Sequence, residues 1–348
     1  MATKAAFRNT LRRRGNLAVN RIAVMLLAAG LLLGGCQRQE ENTITYYSMG
    51  TICTLDVYGS EEALQGAEQL MNELDARLSW RTEGSDVWNI NQQGSTTVAE
   101  DTAYLIGQAL EVSRISDGAF DPTMGILTRE WDFQEGIVPP PETVSAKLGL
   151  VDYAQVELEG NTVTIGQGQA LDLGGIAKGY AADRLQEYLR EQGVESGIIN
   201  LGGNVYIIGR RPDDACYRVG IRDPQGGADS AFCSISVEDK AVVISGPYEQ
   251  SFEQDGRMYH HILDPETGYP AETGLLSVCI VAYSSTLADG LSTAVFVMGE
   301  EAGMELIESI DGVEAMLLND QGEITYSSGF VAAYEPELMG NAGYVEKG

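Results

Sequence analysis

The hydrophobic pattern of this chain changes period in clumps instead of alternating, and that ordering narrows the fold before any other feature does. Thr, Tyr, Ile and Val give strand character to Ile44 to Tyr58, broken by the turn pair Met49-Gly50. Helical spacing follows over Glu61 to Leu78, where Leu64, Ala67, Leu70, Met71, Leu74 and Leu78 share a face, and recurs more weakly over Ala103 to Ile115. Three consecutive prolines place Gly136 to Glu142 in a loop. Short strand candidates at Gln155 to Leu158 and Thr162 to Ile165 precede a helix at Ala177 to Arg190. Further strands are expected at 197–201, 205–208, 232–237, 241–244, 258–262 and 277–283. Helices at Leu287 to Val297 and Ala302 to Ile310, then a hairpin at 315–318 and 323–326, complete the pattern. Grouped strands with interspersed helices predict an α+β fold with mixed or antiparallel sheets rather than a doubly wound one.

The amino terminus reads as an export signal. Residues 1–35 carry Lys4, Arg8, Arg12, Arg13, Arg14 and Arg21 with no acidic residue, followed by the apolar run Ile22 to Leu33. That run is short for a bilayer span and has the flank of a secretory signal. It ends in Leu33-Gly34-Gly35-Cys36, which resembles a bacterial lipobox and predicts an exported protein held by lipid chains on Cys36, with 36–45 as a tether. Beyond the signal, 16 of the 22 basic residues face all 51 acidic ones. Such an acidic body excludes a general nucleic-acid binder, which needs Lys and Arg to displace counterions. The two histidines are adjacent, His260-His261, so no His-rich zinc site can be assembled, and any metal should be a hard cation bound through oxygen. Cys53, Cys216, Cys233 and Cys279 have no CxxC spacing, and their pairing stays open.

Three segments carry candidate chemistry, and each has an ordinary structural reading beside it. Leu171-Asp172-Leu173-Gly174-Gly175-Ile176-Ala177-Lys178-Gly179-Tyr180-Ala181-Ala182-Asp183 delivers two glycines and a lysine to a helix start, where free N–H groups and the helix dipole favour an anion. A plain Gly-Gly turn has the same appearance. His260-His261 leads into the Asp264-Pro265-Glu266-Thr267-Gly268 turn, so one imidazole is a candidate base, or both are strand-end residues. Asp289, Ser292 and Thr293 fall at i, i+3 and i+4 on a helix, which suits three oxygen ligands for Mg²⁺ or a polar helix face. Asp121, in Gly118-Ala119-Phe120-Asp121-Pro122-Thr123, is a loop carboxylate or a simple Asp-Pro turn.

In this order, with Met49-Gly50-Thr51, Asn200-Leu201-Gly202-Gly203-Asn204 and Ser245-Gly246-Pro247-Tyr248-Glu249, the chain resembles the FAD:protein FMN transferase (ApbE) family over about Tyr46 to Gly299. The resemblance implies an ApbE-like domain at 46–333 with an FAD cleft between two lobes, and a tail at 334–348. It implies Mg²⁺-dependent transfer of FMN from FAD to a threonine hydroxyl of an acceptor protein, releasing AMP. The acceptors implied carry Ser-Ala-Thr or Ser-Gly-Thr motifs in membrane electron-transfer subunits. By the same resemblance Met49, Trp80, Ala119, Phe120, Asp121, Asp172, Lys178 and His261 lie by FAD. Gly175 (through its carbonyl), Asp289, Ser292 and Thr293 would hold the metal, and His261 and Asp289 would be catalytic. Trp80 departs from the Tyr of many members, which keeps stacking and loses a hydroxyl. Two other outcomes stay open on sequence: water as acceptor, making an FAD pyrophosphatase, and a flavin-binding lipoprotein without catalysis.

Overall fold

Local turn chemistry explains how the sheet begins. Met49 and Gly50 both adopt positive φ, 47° and 76°, as a type I′ hairpin turn requires, and the strands on either side pair in register from Ser48↔Thr51 to Glu41↔Tyr58. Gly202 and Gly203, at 63° and 94°, repeat the device between Leu201 and Asn204. In the computed structural model, which describes residues 40–227, 230–339 and 343–347, the strands are as follows. They run β1 (Glu41–Ser48), β2 (Thr51–Tyr58), β3 (Ser95–Thr97), β4 (Glu157–Glu159), β5 (Thr162–Thr164), β6 (Gly197–Leu201), β7 (Asn204–Ile208), β8 (Tyr217–Arg222) and β9 (Ala231–Val237). They continue β10 (Ala241–Ser245), β11 (Ser251–Gln254), β12 (Arg257–His260), β13 (Leu275–Ala282), β14 (Glu314–Asn319), β15 (Glu323–Tyr326), β16 (Glu337–Leu338) and β17 (Val345–Glu346). The helices are α1 (Glu61–Leu78), α2 (Asp86–Gln93), α3 (Glu100–Ile115), α4 (Gly125–Thr128), α5 (Pro141–Leu148), α6 (Ala177–Glu191), α7 (Ser285–Met298), α8 (Glu300–Glu308) and α9 (Phe330–Tyr334).

Nine strands form the main sheet in the order β1-β2-β6-β7-β10-β13-β14-β15-β17, antiparallel except for β15 with β17. Side chains alternate across it, so β13 sends Val278, Ile280 and Ala282 to a large core shared with α1, α3, α6 and α7. Cys279 and Val281 point the other way, into a second core covered by β8, β9 and α9. Helix α1 buries Ala63, Leu64, Ala67, Met71, Leu74 and Leu78 on one stripe, with Ser60 capping its start. At about 1.5–3 kcal/mol for each large apolar side chain, that stripe is what docks the helix. A third, smaller cluster around Met124, Leu127, Trp131, Val144 and Leu263 supports the loops on one side.

The architecture is the α+β one expected, with three differences at its margins. Residues 41–45, read as tether, are the first five of the eight residues of β1; as an edge strand it needs no apolar outer face, so its polar composition is no obstacle. The proline run ends inside a helix, because Pro141 occupies the first turn of α5, where its missing N–H costs nothing. The tail is stitched into both layers, β16 onto β9 and β17 onto β15. Among the described residues no helix is long and apolar enough to cross a membrane. The signal segment 1–35 and Cys36 lie outside the described residues, and the other four cysteines are free thiols.

Candidate functional site

The two type I′ turns stand side by side, because β2 pairs with β6 through Cys53↔Leu201. A Cβ on Gly202 would meet the Thr51 hydroxyl at 2.0 Å, so only glycine lets the turns touch. Strand β10 ends at the same edge, where Ile244 N–H donates to the Gly203 carbonyl (3.2 Å) and Glu249 Oε1 lies 3.1 Å from where a Gly203 Cβ would stand. Met49 therefore projects from a strained turn position beside this edge. Non-glycine residues rarely adopt positive φ, and the Asp75 carboxylate on α1 holds this one by accepting from Met49 N–H (2.9 Å) and the Ser48 hydroxyl (3.1 Å). Asp75 carries no motif and was not visible in the sequence.

Against that edge stand the start of α6 and the face of α7. Asn91 grips Leu171 by both backbone groups, at 2.6 and 2.9 Å, and aims the chain into the Gly174-Gly175 turn. A Cβ on Gly175 would lie 3.0 Å from the Phe120 ring and 3.4 Å from Thr293 Oγ1, which brings those three residues together. Asp289, 4% exposed, accepts the Gly179 N–H at 2.8 Å. Ser292 turns aside: its hydroxyl bonds the Asp289 carbonyl and the Ser245 hydroxyl, both at 2.8 Å. Asp289 and Thr293 are thus the α7 side chains aligned with the Gly175 to Gly179 backbone.

Lys178 is the charge common to the site. Its ammonium is held protonated chiefly by Asp289, with Glu249 and Asp172 adding to the effect. Part of Glu249 reaches solvent, but desolvation of its carboxyl pushes it up to about 7, with Lys178 opposing the rise and Asp289 adding to it. Burial, reinforced by Lys178 and then His260, lowers His261 to about 4, so its imidazole is neutral at pH 7. His261 Nδ1 is buried without a hydrogen-bond partner among the described residues. Its neighbour is different: His260 Nε2 meets the Ala271 carbonyl at 3.2 Å and its ring packs edge-on to Phe296. The structure separates the pair into a core histidine and a cleft histidine.

The loop carboxylates are engaged otherwise. Asp121 accepts from Thr123 N–H (2.7 Å), Thr123 Oγ1 (2.6 Å) and Tyr153 N–H (2.9 Å). Asp172 accepts from the Thr128 hydroxyl (2.9 Å) and Gly174 N–H (2.8 Å). Both therefore shape the loops that carry Ala119, Phe120 and Gly175. Trp80 lies under the Arg81 guanidinium, 4.0 Å from the ring centre, with Arg129 at 5.8 Å. Among the described residues no group of three or more His, Cys, Asp or Glu side chains stands where a metal could be held. A cation here would instead take one carboxylate with neutral oxygens, the donor chemistry of Asp289, the Thr293 hydroxyl and a backbone carbonyl. A separate cleft of about 750 Å³, lined by Tyr104, Tyr180, Asp183, Arg184 and Tyr283 among others, takes from the sequence motifs only Tyr180 and Asp183, the far end of the glycine-rich segment.

Comparison with known proteins identifies the family. The ApbE family model matches residues 49–317. A FAD:protein FMN transferase of Treponema pallidum is 35% identical over 337 residues, covering 89% of this chain and 93% of that protein. One of Klebsiella pneumoniae is 34% identical over 301 residues, covering 83% and 93%. The crystal structure of an ApbE protein from Thermotoga maritima superposes with a TM-score of 0.78 at 32% identity, covering 84% of this chain and 99% of that one. The flavin transferase ApbE from Vibrio cholerae gives 0.75 at 27% identity, with the same coverage. Fold and sequence agree: the chain belongs to the ApbE family.

Proposed function

We propose that this protein transfers FMN from FAD to a threonine hydroxyl of an acceptor protein, with Mg²⁺, and releases AMP. The observation that carries the reading is the convergence of Asp289, Thr293 and Lys178 on the backbone of the Gly175 to Gly179 helix start. The relatives' names supply the substrate class. In an acidic protein such a site needs a local reversal of field to hold a pyrophosphate. Lys178 and the N-terminal dipole of α6 provide part of it. Asp289, Thr293 and the Gly175 carbonyl fit a hard divalent cation. When bound, Mg²⁺ would neutralise phosphate charge. The acceptor oxygen attacks the FMN phosphorus, the bond from that phosphorus to the oxygen bridging the two phosphates breaks, and AMP leaves with that oxygen. His261, uncharged at pH 7, would take the threonine proton. Met49, Phe120 and Trp80 are the apolar surfaces offered to the rings.

The export signal and the Leu33-Gly34-Gly35-Cys36 run support a lipid-anchored protein acting outside the cytoplasm, on membrane redox subunits with Ser-Ala-Thr or Ser-Gly-Thr motifs. The test is incubation of the full chain with FAD, Mg²⁺ and a domain bearing an Asp-Gly-x-Ser-Ala-Thr acceptor, read by mass spectrometry. An FMN-sized gain on the acceptor threonine, abolished by EDTA, is expected. FMN and AMP free in solution beside an unmodified acceptor would replace transfer by hydrolysis, and intact FAD would leave binding alone.

A further inference from the structure

Two carboxylates tie α6 and α7 together in opposite directions. Asp289 on α7 accepts the Gly179 N–H of α6. One turn further along α6, Asp183 accepts four bonds from the start of α7: Ser285 N–H at 2.8 Å, Thr286 N–H at 2.9 Å, Thr286 Oγ1 at 2.6 Å and Ser284 Oγ at 3.1 Å. The helices meet so closely that a Cβ on Gly179 would stand 2.3 Å from the Ser285 carbonyl oxygen and 2.6 Å from Asp289 Cβ. Glycine in a helix costs about 1 kcal/mol relative to alanine, and here it makes the approach possible.

Asp183 does more than cap a helix. Ser284 is already the N-cap, its hydroxyl accepting from Leu287 N–H at 3.2 Å, and the Ser285 hydroxyl is fixed to Asn204 Oδ1 at 2.8 Å. The additional carboxylate comes from a neighbouring helix and is half-buried at the wall of the cleft described above, where several donors offset the partial loss of water around its charge. It grips the turn that sets the rotation of α7. Thr286, Asp289 and Thr293 follow one another at i, i+3 and i+7 on one helical face, so a grip at Thr286 fixes where the other two point.

We propose that Asp183 is a positioning residue: by locking the first turn of α7 onto α6 it holds the Asp289 carboxylate and Thr293 hydroxyl against the Gly175 to Gly179 backbone, and so sets the affinity of the divalent-cation seat. This rests on the reading of Asp289 and Thr293 as cation ligands. Partners that orient ligands typically change metal affinity by about 10–100-fold when removed.

The test measures Mn²⁺ binding to the substrate-free full chain by electron paramagnetic resonance of the free ion, alongside thermal unfolding. Asp183→Asn places an amide N–H₂ among donors, and the Mn²⁺ Kd is expected to rise about tenfold or more. Asp86→Asn is the control, because Asp86 performs the same local job for α3, accepting from Ala99 N–H (3.0 Å) and Thr102 Oγ1 (2.6 Å). It should lower the unfolding midpoint without moving the Mn²⁺ Kd beyond twofold. Should Asp183→Asn fail to fold, Thr286→Val removes one of the four donors and should weaken Mn²⁺ about threefold. An unchanged Kd in the folded Asp183 variant, or in Thr286→Val where that variant stands in, would overturn the positioning role while leaving the cation seat intact. Absence of Mn²⁺ binding by the parent protein would overturn the seat itself.

Discussion

The two walls of the cleft use their carboxylates differently. On the loop wall, Asp121 and Asp172 accept backbone N–H and threonine hydroxyl donors on both oxygens. On the helix wall, the Asp289 carboxylate accepts a single hydrogen bond among the described residues, from Gly179 through Oδ2, and is the strongest influence on Lys178. A carboxylate with both oxygens taken by backbone and hydroxyl donors fixes a shape. One left with an open oxygen beside a lysine is available to a ligand. Position in a motif does not distinguish the two; the hydrogen-bond census does.

The largest effect should therefore come from Asp289. Removing an oriented electrostatic group from a phosphoryl-transfer site costs on the order of 10²–10³ in rate, so Asp289→Ala should lower AMP release from FAD by that factor. A loss below tenfold would move Asp289 into the same class as Asp121. Asp121→Ala is expected to do the reverse. It leaves the Thr123 and Tyr153 donors unpaired in a buried loop, at about 1–3 kcal/mol of stability, visible as a lower midpoint in urea. Transfer per folded molecule should stay within a few-fold. A collapse of turnover at unchanged stability would put that carboxylate on the ligand.

How far the sequence reveals these walls depends on what each rests on. Helix α1 is legible to its ends because one apolar stripe, a serine cap and two first-turn glutamates agree. Strand β8 is not, since Tyr-Arg-Val-Gly-Ile-Arg interleaves arginines and a glycine with its apolar face. The sheet order is hidden too, because β2 meets β6 across more than 130 residues of intervening chain. In the site, the ordered motifs name most of the residues that line the cleft. They do not disclose that Asp121 is satisfied by Thr123 and Tyr153, that Ser292 turns to Ser245, or that Asp75, Asn91 and Asp183 do the holding. Those are relations between distant segments, each made by one unremarkable polar residue. Glu249 stood in a quoted motif, but its role depends on Gly203 and Lys178 coming to it in space.

The acid range separates Glu249 from His261, because their shifts have opposite signs. Glu249 rises from 4.5 to about 7 on folding, so its stabilising contribution is complete below pH 4.5 and is lost as pH climbs to about 7. His261 falls from 6.5 to about 4, so its contribution is complete above pH 6.5 and is lost as pH drops toward 4. Between about pH 4.5 and 6.5 the two slopes oppose each other in the substrate-free protein. Urea titrations at stepped pH should show Glu249→Gln unmasking a rise in stability with pH over this window, and His261→Asn unmasking a fall. Parallel profiles for the two variants would refute the opposed assignment.

The smallest effect belongs to Trp80. The Arg81 guanidinium sits 4.0 Å from the centre of the indole, a cation–π contact that occupies one face. A flavin or adenine ring is then left with the other face, and an aromatic pair is worth about 0.5–1.5 kcal/mol beyond the area it buries. Tyrosine keeps a stacking surface and the same contact with Arg81. It also brings a hydroxyl to a place where the indole N–H is buried without a partner among the described residues. These changes offset, so Trp80→Tyr should alter KM for FAD by less than about fivefold and leave kcat unchanged, because nothing near the reacting phosphorus moves. Steady-state kinetics at saturating Mg²⁺ decide it. A KM rise beyond tenfold would make the indole a principal anchor for FAD, and a fall in kcat would extend the loop wall's influence from shape into chemistry.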